Sequence, residues 1–199
     1  MTDHIVKSYD TELSRLDSEI RRMGTMAAAQ LDAAIDVLQL LALRQPMARD
    51  LREVYAALRI SSDIERIGDY AANVAKRSMV LNQSPTVAAG RGLPALARLA
   101  GMLVRDALDA YAARDAEAAM AVRSRDAELD AAYTGLFREL LTYMAEDPRQ
   151  ITACTHLLFI AKNIERIGDH ATNIAEYTWF IDKGEGMVEP REKRDGTVE

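Results

Sequence analysis

Apolar positions recur along this chain every three or four residues, the spacing that puts them on one face of a helix. Leu13, Leu16, Ile20 and Met23 follow it, as do Leu31, Ala34, Ile35 and Leu38, so residues 5–43 are predicted to be helical, with Gly24 as a break of modest cost. Arg44-Gln45-Pro46 reads as a turn, and Pro46 is placed to open a second helix over 47–82. Residues 83–92, QSPTVAAGRG, concentrate helix breakers and separate the chain into two parts. A third helix is expected from Pro94 to about Ala113, then a tight turn at Arg114-Asp115 and a fourth helix over 116–145. Glu146-Asp147-Pro148 turns the chain into a last helix ending near residue 181. The charged, aperiodic stretch 182–199 reads as a disordered tail.

The same helical pattern is stated twice. Residues 64–76 read IERIGDYAANVAK and residues 164–176 read IERIGDHATNIAE, with nine of thirteen positions identical at an offset of one hundred. The register extends upstream through Leu41/Leu141, Arg49/Arg149, Leu58/Leu158 and Ile60/Ile160. An internal repeat fixes architecture more firmly than any local signal. The expected fold is therefore all-α: two antiparallel helical bundles related by the repeat, occupying residues 1–84 and 93–181 with a linker at 85–92. The halves are unequal. Gly101 to Glu165 spans 64 residues, whereas its best counterpart, Gly24 to Glu65, spans 41, so the first half is short by about 23 residues upstream of Leu40. The second half reads as a three-helix bundle and the first as a bundle lacking about one helix.

Composition narrows the function. The chain has 199 residues, 49% of them hydrophobic and 28% charged, enough for a real core under a soluble surface. Its net charge of −6 argues against nucleic acid as a partner and is compatible with cations. The single Cys154 excludes an intramolecular disulfide and is expected to be a small buried core residue. No window approaches the ~20 apolar residues of a membrane span, and the N-terminus does not read as a signal peptide, so a cytoplasmic protein is expected.

Candidate chemistry lies in the repeat. Glu65 and Asp69, and again Glu165 and Asp169, stand four residues apart and so share one helix face. Glu165 and Asp169 continue the stripe Ile151, Cys154, Leu158, while Ile160, Ile164, Ile167 and Ala171 line the opposite side, so this helix is expected to be sandwiched between neighbours. The preceding helix carries Asp126 and Asp130 at the head of the stripe Tyr133, Phe137, Leu141, Met144. An antiparallel hairpin turning near residue 147 sets Asp126 level with Asp169 and Asp130 level with Glu165. Four carboxylates meeting there require cations or shared protons, and an all-oxygen donor set suits hard cations, iron or manganese better than a closed structural zinc site. The same register in the first half gives Gln30 and Met26 opposite Glu65 and Asp69, so one side of that site is missing.

Other features carry less. His170 stands where the first copy has Tyr70, so a shared metal role for it is not expected. Asn73 and Asn173 fit packing or second-layer support equally well, and His4 and His156 stand alone. Gly68 and Gly168, inside helices, each cost about 1 kcal/mol relative to Ala, a cost that close helix approach would offset. No nucleophile set or Gly-rich phosphate loop is present, and neither Glu65 nor Glu165 is followed at three residues by the histidine of helical di-iron oxidases.

The doubled IERIGDYAANVAK and IERIGDHATNIAE resemble the paired E(D)xxxD motifs of the PhoU family, regulators attached to bacterial phosphate-specific transport. LLALRQPMARDLREVYAALRISSDIERIGD and LLTYMAEDPRQITACTHLLFIAKNIERIGDH extend the likeness across residues 8 to 181. The resemblance implies two three-helix bundles side by side, a homodimer, and metal clusters of iron or zinc on the E(D)xxxD carboxylates, with magnesium or manganese as further options. The matching positions are Asp126, Asp130, Glu165 and Asp169, with Glu65 and Asp69 alone in the first half. It also implies signalling and no catalysis: a negative regulator linking the transporter's ATPase subunit to a sensor histidine kinase, without nucleic acid or membrane insertion. A carboxylate-bridged metal store or oxidase, and a purely structural helical adaptor, are the alternatives.

Overall fold

The computed structural model describes residues 48–81 and 88–186, together with scattered helical positions between Ser14 and Ile35. The chain divides into two compact units, Met1–Ala48 and Arg49–Glu199. In the first unit, the Ser18 hydroxyl donates to the Ser14 carbonyl at 3.0 Å and Thr25 to Arg21 at 3.1 Å, the back-bonding of hydroxyls within a helix. The expected apolar stripe at Leu13, Leu16, Ile20, Met23, Leu31, Ala34 and Leu38, and Met26 and Gln30 opposite the first acid pair, lie outside the described residues.

The second unit contains four helices: α1 (Ala48–Leu81), α2 (Leu93–Ala113), α3 (Ala116–Glu146) and α4 (Ile151–Lys183). Their ends have local causes. Pro94 sits in the first turn of α2. Arg114 closes that helix in the left-handed conformation (φ 53°), and the Asp115 carboxylate accepts the Ala118 N–H at 3.0 Å to cap α3. Asp147 ends α3 and accepts from the Arg149 N–H at 3.1 Å, so the hairpin turns where Pro148 forbids further helix. Gly184, at φ 77°, stops α4 two residues beyond the expected boundary. The second part of the expected linker is itself ordered as a 3-10 turn, Ala88–Gly92, leading into α2. Residues 83–87, and the tail beyond residue 186, lie outside the described residues.

Helices α2, α3 and α4 pack on one another as a three-helix bundle, with α4 touching both others. Its core is Leu96, Leu103, Leu129, Leu140, Cys154, Ile164 and Ile174 with small alanines between them. Cys154 is fully buried, and burial pushes its thiol up, as an inert core cysteine requires. Buried positions on α3 advance by threes and fours through Val122, Asp126, Leu129, Tyr133, Leu136 and Leu140. That buried face also takes in Asp130. It corrects the straight stripe expected from sequence: Leu136 and Leu140 are buried, whereas Leu141 is 45% exposed. Ile151, expected to face a neighbour, is likewise 46% exposed at the hairpin end.

Helix α1 lies antiparallel along α4. Tyr55 meets Phe180 and Tyr177 edge-on, Arg59 donates to the Tyr177 hydroxyl at 2.8 Å, and Arg77 caps the Phe159 ring at 4.1 Å. The two copies of the repeat are thus paired, and α4 is sandwiched as its two apolar stripes require. Both forks of Arg114 reach Glu53 at 2.8 Å, tying the α2–α3 corner to the start of α1.

The repeat's two glycines have opposite surroundings. A Cβ on Gly168 would overlap Leu129 Cδ2 and stand 3.6 Å from Asp126 Oδ1, whereas one on Gly68 would meet nothing within 4 Å. Leu129 is itself buried and has little room to yield. Gly168→Ala is therefore expected to destabilise by about 1–3 kcal/mol through overpacking. Gly68→Ala is expected to stabilise by up to about 1 kcal/mol through helix propensity. Urea titrations of the two variants, compared with the parent, check the opposite signs.

Candidate functional site

The α3–α4 seam gathers the second-half carboxylates at one level. Asp126, Asp130 and Glu165 are each 2% exposed and Asp169 is half-buried. Gly168 brings the α4 backbone to Asp126, and Glu165 feels the charges of both Asp169 and Asp130. Burial pushes the Glu165 carboxyl above its ordinary range; the Lys162 hydrogen bond pulls it back, and Asp169 and Asp130 add to the rise. Helix register expected from the hairpin is thus the register observed.

Lys162 is the residue that sequence reasoning missed. Its Nζ donates to Glu165 Oε1 at 2.9 Å and lies 5.0 Å from the Tyr133 ring centre. Arg123 frames the other end, its Nε donating to Glu176 Oε1 at 3.3 Å. The available signal was the repeat itself: Lys162 stands where the first copy has Ser62, three residues before the glutamate.

Whether a cation suits the seam can be judged from its oxygens. Glu165 Oε2 is buried and accepts no hydrogen bond, and the same holds of Asp126 Oδ1, Asp130 Oδ2 and Asp169 Oδ1, although those aspartates have other interactions in the molecule. Buried carboxylate oxygens without donors are costly, and a hard cation is the partner their chemistry fits. As the side chains stand, no three His, Cys, Asp or Glu among the described residues are drawn around one point in a metal-holding group.

The first copy of the motif is elsewhere. Glu65 and Asp69 are exposed on α1, on the face that continues Leu51, Tyr55 and Leu58, which are 54%, 50% and 55% exposed. The structure does not bring them into the buried seam. His170 and Asn173 turn the other way, toward α1. His170 Nδ1 lies 2.5 Å from Asp63 Oδ1, Asn173 Nδ2 donates to the same oxygen at 3.2 Å, and Tyr70 stacks on the imidazole at 5.6 Å. Asp63, 7% exposed, is a second residue that the sequence reading passed over. The signal available for it was a pair of differences between the copies, Asp63 against Asn163 and Tyr70 against His170.

These features define a class: an all-helical protein made from an internal repeat, with a buried acidic seam in one bundle and a polar lock between the repeats. The family model described as PhoU domain matches residues 6–78 and again 93–178. The chain belongs to the PhoU family. It is 55% identical to the phosphate-specific transport system accessory protein PhoU homolog of Xylella fastidiosa (strain 9a5c), across 98% of this chain and 94% of that one. It is 46% identical to the protein of the same name from Caulobacter vibrioides (strain NA1000 / CB15N), across 98% of both. The first alignment runs over 223 positions against a chain of 199, so that relative carries at least two dozen residues that this chain lacks. The crystal structure of PhoU from Pseudomonas aeruginosa matches with a TM-score of 0.75 at 35% identity, covering 81% of this chain and 78% of that one. The phosphate transport system regulatory protein PhoU from Streptococcus pneumoniae matches with a TM-score of 0.71 at 28% identity, covering 82% and 76%.

The lock and the open acid pair are separable by mutation. Asp63→Ala strands two half-buried donors and is expected to cost about 1–2 kcal/mol. Glu65→Gln and Asp69→Asn change exposed positions and are expected to stay within about 0.5 kcal/mol of the parent. Denaturant midpoints of the three variants provide the comparison.

Proposed function

We propose that this chain is an accessory protein of a phosphate-specific transport system that restrains the phosphate-starvation response when phosphate is plentiful and modulates uptake. The observation that carries this reading is full-length similarity to proteins of that name, with the doubled motif retained. Helices as long as α1 and α4, clamped together over their length, make a stiff body able to present separate surfaces to two partners. The partners are the transporter's ATPase subunit and a phosphate-sensing histidine kinase, met in the cytoplasm by a homodimer of this chain. Its role is adaptor, not catalyst.

Asp126, Asp130, Glu165 and Asp169 would hold the metal, iron or zinc among the choices, with magnesium or manganese also suited to oxygen ligands. A bound cation would supply positive charge between the two helices. The chain's own contribution is to bury Asp126, Asp130 and Glu165 in the seam, with Asp169 half-buried beside them. Glu65 and Asp69 form a second, open half-site on α1.

Two measurements test this reading. In a host deleted for its own PhoU, this gene should return alkaline phosphatase to its repressed level in phosphate-rich medium; persistent high activity with soluble, abundant protein would refute it. Elemental analysis of purified protein should find metal lost from Asp126→Asn/Asp130→Asn and largely retained in Glu65→Gln/Asp69→Asn. Equal contents in both variants would sink the assignment to the second-half seam.

A further inference from the structure

The acidic seam contains its own cation. Lys162 Nζ lies 2.9 Å from Glu165 Oε1, and the ammonium stands 5.0 Å from the Tyr133 ring centre. Glu165 is almost wholly buried and the lysine one-third exposed, so the ammonium enters the seam from the solvent edge. An ammonium on one oxygen of Glu165 leaves Oε2 without a donor. It also removes one of the lone-pair sites that a metal ion would use. The gathered but unclosed carboxylates are the arrangement such a counter-ion produces: repulsion is relieved at one edge, and the remaining oxygens are not drawn to a common point.

We propose that Lys162 is a built-in competitor for the seam: its ammonium neutralises Glu165 in the metal-free protein and must leave that carboxylate before a divalent cation can be bound by both helices. This inference rests on the seam being the cation site. The lysine sets a threshold, so that the seam fills only when free metal is high enough to displace a tethered positive charge. Only the second copy of the motif has it, because the first has Ser62 at the equivalent place. Arg123 on α3 is engaged with Glu176, whereas Lys162 is the cation bound to Glu165, so removing the Lys162 charge frees a candidate ligand atom.

The test uses the full-length protein and Mn(II) alone, titrated calorimetrically after removal of bound metal by chelation. Lys162→Gln should bind Mn(II) roughly tenfold more tightly than the parent, the scale of losing one charge-assisted competitor. Adding Asp130→Asn to Lys162→Gln should abolish the gain. In the parent itself, acetylation of Lys162 by acetic anhydride, read by mass spectrometry, should speed up several-fold when Mn(II) saturates the protein. Equal affinity of parent and Lys162→Gln overturns the proposal, as does an acetylation rate indifferent to Mn(II). Failure of both proteins to bind Mn(II) overturns it as well, and leaves the regulatory reading standing, because that is judged by alkaline phosphatase repression.

Discussion

Leu129 resting on the bare backbone of Gly168 sets how close α3 and α4 come, and the acidic seam depends on that distance. A Cβ at 168 would overlap Leu129 Cδ2, so a larger residue there requires Leu129 or the helix backbone to shift beside Asp126. Held close, the buried carboxylates are stripped of solvent, and Glu165 resists ionisation because burial, before any neighbouring charge, favours its neutral form. Desolvated acids of like sign need positive charge nearby. The chain provides some of it from its own side chains, Lys162 at one edge and Arg123 at the other.

The same thirteen-residue phrase meets two environments, and the contrast separates its roles. On one side, Ile64 and Ile67 of the first copy and Ile164 and Ile167 of the second belong to or pack against one core, where the antiparallel repeats pair. On the other, the acid pair of α4 is covered by α3, whereas the acid pair of α1 is exposed. The isoleucines hold the repeats together in both copies. The glycine and the carboxylates do their work only where a second helix lies against them. Gly68 therefore bears the propensity cost of a glycine without the close contact that offsets it.

Helix identities, the hairpin turns and the level of the four second-half carboxylates were legible in the sequence, because each follows from periodicity, breaker residues or antiparallel register. Gly168's close contact was legible as an expectation for both copies and proved true of one. The departures have physical reasons. The stripe drawn along α3 lay about one position off the face that is buried, so Leu141 was expected inside and Leu140 is there instead. His170 and Asn173 were weighed one at a time and Asp63 not at all, while their meaning is relational: a donor pair on α4 and an acceptor more than one hundred positions earlier on α1. No local rule announces such a contact. Lys162 was overlooked because attention to acids passed over the cation three residues upstream.

Helix α4 joins these two systems. Asp169 and His170 are consecutive residues on one turn, the first turned to the seam and the second to Asp63. A helix is stiff over one turn, so any rotation or shift that re-seats Asp169 must also move His170 against its buried partner. The coupling is local and geometric; it requires no long pathway, only that both contacts are discrete and well packed. Charge balance in the seam and the seating of α1 are thus two loads on the same short piece of helix. The repeat places that piece where the core of the bundle and the seat of α1 meet.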